Sequence, residues 1–178
     1  MTVIAPPLGV LVAICAFTDL RMQKIPNVIT LPAALLAMGL HAYHAGLQGV
    51  YLSLGGWGLG LALLILPYAL NAMGAGDVKL LAAIGAVVGP LAVFIIFLYT
   101  AIIGAFYALL YRCCTRTHRR FLGDGYETLK HLVLFHRLLP AANNPVNNGK
   151  PLCYGLAIAA GTYVYIGEAL GLYRLIGA

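Results

Sequence analysis

Four long stretches of the chain contain no charged residue, and they set the pattern of predicted helices. They run from Met1 to Thr18, from Ile25 to Gly76, from Leu80 to Tyr111 and from Pro151 to Gly167. A helix needs about 20 apolar residues to cross a hydrocarbon core of about 30 Å. The stretches therefore predict membrane-spanning helices, one each in the first and last and two each in the second and third.

Polar or helix-breaking positions separate the paired spans. The polar segment His41–Gln48 is the expected turn between spans two and three, and Gly89-Pro90 ends span four because proline interrupts a helix. The six spans cover residues 2–18, 28–44, 51–70, 78–88, 91–111 and 152–172. The predicted fold class is an all-α integral membrane protein with six transmembrane helices.

Positive charges decide the orientation, because Lys and Arg concentrate in cytoplasmic loops. The basic loop 112–150 is expected to share the inner side with Arg21, Lys24 and Lys79. Two crossings between Leu80 and Tyr111 satisfy this, and both termini then lie on the outer, periplasmic side. Ten of the eleven Lys and Arg residues fall inside. We expect one transmembrane domain over residues 1–178.

The composition agrees with membrane insertion. Apolar residues make up 62% of the chain and charged residues only 9%, whereas soluble domains average about 25% charged residues. These figures exclude a soluble globule, a disordered tail, a nucleic-acid-binding domain and a disulfide-stapled secreted module. The net charge of +6 follows from the inner loops, so the expected surroundings are a lipid bilayer and no nucleic acid partner is needed.

The four cysteines carry no zinc-site spacing. They are Cys15, Cys113, Cys114 and Cys153, and no C-x-x-C pair occurs. In apolar helices such residues act as small apolar side chains. We expect no metal site and no cofactor.

Two of the five carboxylates stand out by position. The five are Asp19, Asp77, Asp124, Glu127 and Glu168. Asp124 and Glu127 fit a solvated loop, and Glu168 fits an interfacial helix end. Asp19 and Asp77 each lie at an inner-face helix end, where ionisable groups are costly and often functional. Plainer interpretations remain open: Asp77 caps span four, and Asp19 marks where span one leaves the bilayer.

The flanking residues favour a catalytic pair. Gly74-Ala75-Gly76 precedes Asp77, and glycines let a substrate main chain approach closely. Pro26-Asn27 restarts a helix soon after Asp19 and keeps the intervening loop short. Two adjacent carboxylates share a proton and activate water for attack on a peptide carbonyl without a metal. Neither G-x-S-x-G nor H-E-x-x-H occurs.

These motifs resemble a known family. The segment from Asp19 to Asn27, Asp-Leu-Arg-Met-Gln-Lys-Ile-Pro-Asn, resembles the first aspartate motif of type IV prepilin peptidases. Gly74-Ala-Gly-Asp77-Val-Lys-Leu80 resembles the second, the G-x-G-D signature that also marks presenilin-type proteases. The segment from Tyr154 to Gly161 resembles the last span of the short Tad/Cpa branch, which processes Flp-type pilins. Cys153 departs from that branch, where proline is expected.

The resemblance implies an aspartic endopeptidase in the bacterial inner membrane. It would remove the leader of type IV (Flp-type) prepilins or pseudopilins at the cytoplasmic face, with Asp19 and Asp77 as the catalytic pair. Six further residues match positions of the two family motifs, and the resemblance implies that they support the catalytic pair: Lys24, Pro26, Asn27, Gly74, Gly76 and Lys79. Larger relatives carry a methyltransferase region with C-x-x-C pairs that this sequence does not contain, so we expect cleavage only. The loop 112–150 either helps to hold substrate or is an insertion.

Two other functions remain as alternatives. A small proton-coupled carrier would use Asp19 and Asp77 as proton sites, although carriers place such residues near the membrane midplane. A non-catalytic scaffold of a pilus or secretion apparatus would not need both aspartates.

Overall fold

The described part of the chain is all-helical, which confirms the all-α part of the predicted fold class. A computed structural model describes residues 5–22, 25–69, 73–114 and 154–176. They form α1 (Ala5–Met22), α2 (Asn27–Ala69), α3 (Ala75–Val88), α4 (Pro90–Cys114) and α5 (Tyr154–Ile176). Lys24, Asp124, Glu127 and Cys153 lie outside the described residues, as does most of the loop 112–150.

Helix α2 is two helical arms joined at a sharp break. Gly46 has φ 57° and ψ −138°, a left-handed conformation that side chains disfavour and glycine adopts freely. The chain folds back there, and Gly49 packs directly against the main chain of His41. The break lies inside the turn predicted at residues 41–48. It divides α2 into arms of about 20 residues each, 27–45 and 47–69.

Helix α3 lies between the two arms of α2, and small residues make the contact. The first arm packs Ala34 and Ala37 against Ala83 of α3. The second arm packs Gly56 so closely on Gly85 that a Cβ at either position would overlap the other's carbonyl group. Small residues allow such close helix approach in lipid. Helix α3 is consequently buried along most of its length.

The corner between α3 and α4 lies at Gly89 and Pro90, where the sequence predicts a turn. Gly89 has φ 86°, and Pro90 is the first residue of α4, a position that needs no N–H donor. A ring nitrogen of His41 lies 3.0 Å from the carbonyl oxygen of Val87. The Gly46 break and the Gly89 corner therefore share one end of the bundle.

Helix α5 packs between α1 and α4. Gly161 of α5 lies against Thr100 of α4, and the hydroxyl of Tyr163 donates a 2.9 Å hydrogen bond to the carbonyl oxygen of Gly9 in α1. All five helices contribute to the apolar core. Its fully buried side chains include Val12, Cys15, Leu64, Leu80, Leu81, Ile84, Val93, Ile96 and Ile158.

The surface of the bundle is apolar, as expected for a membrane protein. Val28, Tyr43 and Leu91 are each more than 80% exposed. By length and composition, two described helices are able to cross a membrane, α2 and residues Pro90–Tyr107 of α4. Six spans and outward-facing termini stay predictions.

The predicted orientation has a direct test in topology reporter fusions. Fusions at position 48, at residues 89–90 and at the C-terminus should report the periplasm, because they lie at the end with few positive charges. Fusions within 19–27, 74–79 and 112–150 should report the cytoplasm. A cytoplasmic C-terminus would contradict the six-span arrangement.

Close packing at Gly85 should make it intolerant of any side chain. Gly85→Ala should lower the free energy of unfolding by about 1–3 kcal/mol, the range for overpacked cores. Gly167→Ala is the matched control, because nothing in the described structure lies within 4 Å of a Cβ there. Thermal unfolding in one detergent compares both variants with the parent. Equal melting temperatures for the two variants would show that α3 does not depend on this contact.

Candidate active site

Asp19 is buried in the last turn of α1 and reaches the start of α5. Its side chain is 7% exposed. The main-chain N–H of Gly155 donates a hydrogen bond of 3.1 Å to its Oδ2. A Cβ at position 155 would lie only 2.7 Å from that oxygen. Glycine at 155 therefore lets the carboxylate approach the helix terminus.

Asp77 is equally buried and is held by the turn that precedes it. It is the third residue of α3, and Gly74 is the N-cap residue. The Gly74 N–H donates to Asp77 Oδ2 at 3.3 Å, and the Asp77 N–H donates to the Gly74 carbonyl oxygen at 3.2 Å. Asp77 thus satisfies a donor at the helix start without being the cap itself.

The two carboxylates interact electrostatically. Both lie beyond the ends of the predicted spans 2–18 and 78–88. The pKa of Asp77 is raised to about 6, mainly by burial and also by the charge of Asp19, while the hydrogen bond from Gly74 opposes the rise. Burial also raises the pKa of Asp19, and the Gly155 hydrogen bond opposes that shift. The fold therefore brings together two acidic groups that are 58 positions apart in sequence numbering, from 19 to 77.

Residues of the two aspartate motifs contact one another around this pair. A Cβ at Gly76 would lie 3.0 Å from the Cβ of Ile25, so the first motif packs on the second. The Lys79 ammonium donates a hydrogen bond of 3.0 Å to Asn27 Oδ1. The carbonyl oxygen of Pro26 accepts a hydrogen bond from the N–H of Ile29, and α2 begins at the next residue, Asn27. These contacts fix the spacing of the two motifs.

The start of α5 forms a third side of the site, a role that was not predicted from the sequence. Tyr154 interacts electrostatically with Asp77, while its neighbour Gly155 contacts Asp19. The Tyr154 ring packs against Gly104 of α4, where a Cβ would lie 2.6 Å from the phenol oxygen. A glycine in the first turn of the last span could have indicated this role. Because the chain has 21 glycines, however, one glycine at a helix start is a weak indication.

Among the acidic residues that the structure describes, Glu168 lies away from the pair. Glu168 accepts a 2.6 Å hydrogen bond from the Tyr99 hydroxyl, about 20 Å along α5 from Gly155. Cys15 is buried in the core. Among the described residues, no group of three or more His, Cys, Asp or Glu side chains is arranged to hold a metal ion.

Such a site has the parts of an acid–base pair. Two buried carboxyl groups that repel one another retain a proton more readily than isolated ones, so one is neutral while the other is charged. The charged group accepts a proton from water, and the neutral one donates a proton to an oxygen atom. Fold and site together define a helical membrane protein with a coupled pair of carboxylates at one end of the bundle.

The family assignment agrees with this class. The model of the type IV leader peptidase family matches residues 8–109, more than half of the chain, and both aspartates lie within the match. The chain belongs to the type IV leader peptidase family and is thus a peptidase. Comparisons with curated proteins and with solved structures gave no significant match.

The electrostatic coupling predicts how one carboxyl responds to loss of the other. Asp19→Asn should lower the pKa of Asp77 below about 6, because the charge that opposes its ionisation is removed. Infrared titration of the protonated carboxyl band measures this directly. Glu168→Gln is the control and should leave the pKa unchanged. The same pKa in Asp19→Asn and in the parent would mean that the two carboxyls do not interact.

Proposed function

We propose that this protein is a membrane-embedded aspartic endopeptidase that removes the leader peptide of type IV (Flp-type) prepilins or pseudopilins at the cytoplasmic face. Asp19 and Asp77 are its catalytic pair. The observation that carries the proposal is their joint burial, with the charge of one acting on the other. Membership of the type IV leader peptidase family supports a leader peptide as the substrate.

The proposed reaction is direct attack by water. One carboxylate takes a proton from the water while the water oxygen attacks the scissile carbonyl carbon. The other carboxyl group protonates the carbonyl oxygen. The resulting gem-diol collapses when the first carboxyl gives its proton to the amide nitrogen and the second recovers a proton from a hydroxyl. The peptide C–N bond breaks, and the pair returns to its starting protonation state.

The Gly-Ala-Gly turn suits a peptide substrate. Gly74 is exposed and directly precedes the helix that carries Asp77. Without a side chain at Gly74, an extended main chain is able to approach the Asp77 carboxyl closely, whereas Gly76 makes room for Ile25. Pro26 and Asn27 belong to the other motif, and the hydrogen bond from Lys79 to Asn27 ties that motif to α3.

The proposed location is the bacterial inner membrane, with several crossings. The apolar helices α2 and α4 support membrane insertion, and the clustering of Lys and Arg at positions 21, 24, 79 and 112–150 supports a cytoplasmic site. A leader peptide would then be cut on the side where prepilins are synthesised.

Leader removal is the test that separates this function from its alternatives. Purified protein in detergent, mixed with a Flp-type prepilin, should release the leader without added metal or cofactor. A carrier or a scaffold would leave the prepilin intact. Mass spectrometry of both products locates the cleaved bond.

Each aspartate should be individually necessary. Asp19→Asn and Asp77→Asn keep side-chain size and should insert normally while cleavage falls below detection. The double variant should be scarcely worse than either single one, because the two residues act as a unit. Initial rates at matched membrane levels provide the measurement.

Conservative changes at the other acidic residues serve as controls. Asp124→Asn, Glu127→Gln and Glu168→Gln should retain substantial activity. Near-parental cleavage by Asp77→Asn would instead show that this residue only stabilises the start of α3.

A further inference from the structure

The first turn of α5 supplies a main-chain hydrogen-bond donor to Asp19. We propose that Gly155 is a positioning residue whose main-chain N–H holds the Asp19 carboxylate in the ionised, proton-accepting role and leaves the shared proton on Asp77. The inference rests on the proposed function and adds to it a division of labour between the two aspartates. Gly155 lies outside residues 8–109 that the family model matches.

The donor is one that a helix leaves unused. Gly155 is the second residue of α5, and the first four N–H groups of a helix have no partner within it. This N–H points at Asp19 Oδ2 over 3.1 Å, in a buried environment. A bond from a helix N-terminus stabilises the charged form of a carboxylate, through both the hydrogen bond and the helix dipole.

The Asp19 side chain occupies the space where a side chain at position 155 would begin. The three atoms nearest to a Cβ there all belong to Asp19: Oδ2 at 2.7 Å, Cγ at 3.1 Å and Cβ at 3.2 Å. A methyl group would push the carboxyl away from the N–H donor. Any residue with a side chain therefore disturbs Asp19 before it disturbs anything else.

Helix α4 fixes where this donor lies. The Tyr154 ring fits against Gly104, and a Cβ at 104 would come within 2.6–3.0 Å of three atoms of the phenol. The contact holds the first turn of α5 against α4. The N–H of Gly155 is thereby kept at a set position relative to α1.

Asp77 has the environment of the proton-carrying partner. Its main-chain donor, Gly74, is at the longer distance of 3.3 Å and belongs to its own turn. Burial and the nearby Asp19 charge both favour the neutral form of Asp77. Once Asp19 is held as the anion, the second carboxyl is the one that retains the proton.

The experiment compares two replacements at position 155. Gly155→Ala keeps the N–H and adds the obstructing methyl group. An ester in place of the 154–155 amide, introduced as glycolic acid at 155, removes the N–H and keeps the space. For both, kcat for prepilin cleavage should fall roughly 100-fold, as expected for a misplaced catalytic group, with KM nearly unchanged. The acidic limb of the kcat/KM profile should move to higher pH, because Asp19 loses the bond that favours its ionised form.

Two glycines of the same helix provide controls. Gly167→Ala meets nothing within 4 Å, whereas a Cβ at Gly161 lies 2.6 Å from Thr100 Oγ1. Gly161→Ala should lower the melting temperature without moving the acidic limb, and Gly167→Ala should change neither. An ester variant with parental kcat, or with reduced kcat and an unmoved acidic limb, would overturn the proposal. If Gly155→Ala does not fold, the ester variant decides.

A readout without substrate separates this inference from the proposed function. In an Asp77→Asn background, the infrared difference against Asp19→Asn/Asp77→Asn isolates the Asp19 carboxyl. The ester at 155 should raise the pKa of Asp19 there, and an unchanged pKa would overturn the role of Gly155. A parent protein that does not cleave prepilin would contradict the proposed function alone.

Discussion

The structure has to bury two like charges beside each other. Asp19 and Asp77 are each 7% exposed. Burial disfavours the ionised form of each carboxyl group, and repulsion between the two charges disfavours ionisation of both together. Sharing a proton removes most of the repulsion. Main-chain donors from Gly74 and Gly155 stabilise the charge that remains. The arrangement is unfavourable for folding, and for that reason it retains the reactivity that a hydrolase requires.

The rest of the bundle holds three helix ends together at that point. Helix α3 brings Asp77, and its Gly85 contact with Gly56 leaves no freedom to slide along α2. Helix α1 brings Asp19, and α5 brings the Gly155 donor. Apolar packing determines where each helix lies, while backbone hydrogen bonds determine how each carboxyl is oriented. The site depends on glycines because only they allow main chain to approach main chain or carboxylate so closely.

Local signals in the sequence were sufficient for much of this architecture. Gly89-Pro90 predicts the corner between α3 and α4, and the polar segment 41–48 contains the break at Gly46. The two aspartates follow from their places at helix ends. Gly155 could not be predicted, because its role comes from a partner 136 residues earlier in the chain. The cap of α3 also differed: Gly74 caps the helix, and Asp77 lies inside its first turn.

The contact between Gly155 and Asp19 also joins two parts of the chain that are synthesised at different times. Both aspartates leave the ribosome well before α5, the last described helix of the chain. A nascent chain that has inserted α1 to α4 therefore holds both carboxyls but not the main-chain donor of Asp19. The finished geometry arises only when α5 docks between α1 and α4. Assembly of the site thus waits for the synthesis of α5, and a chain that stops before α5 lacks the main-chain donor to Asp19.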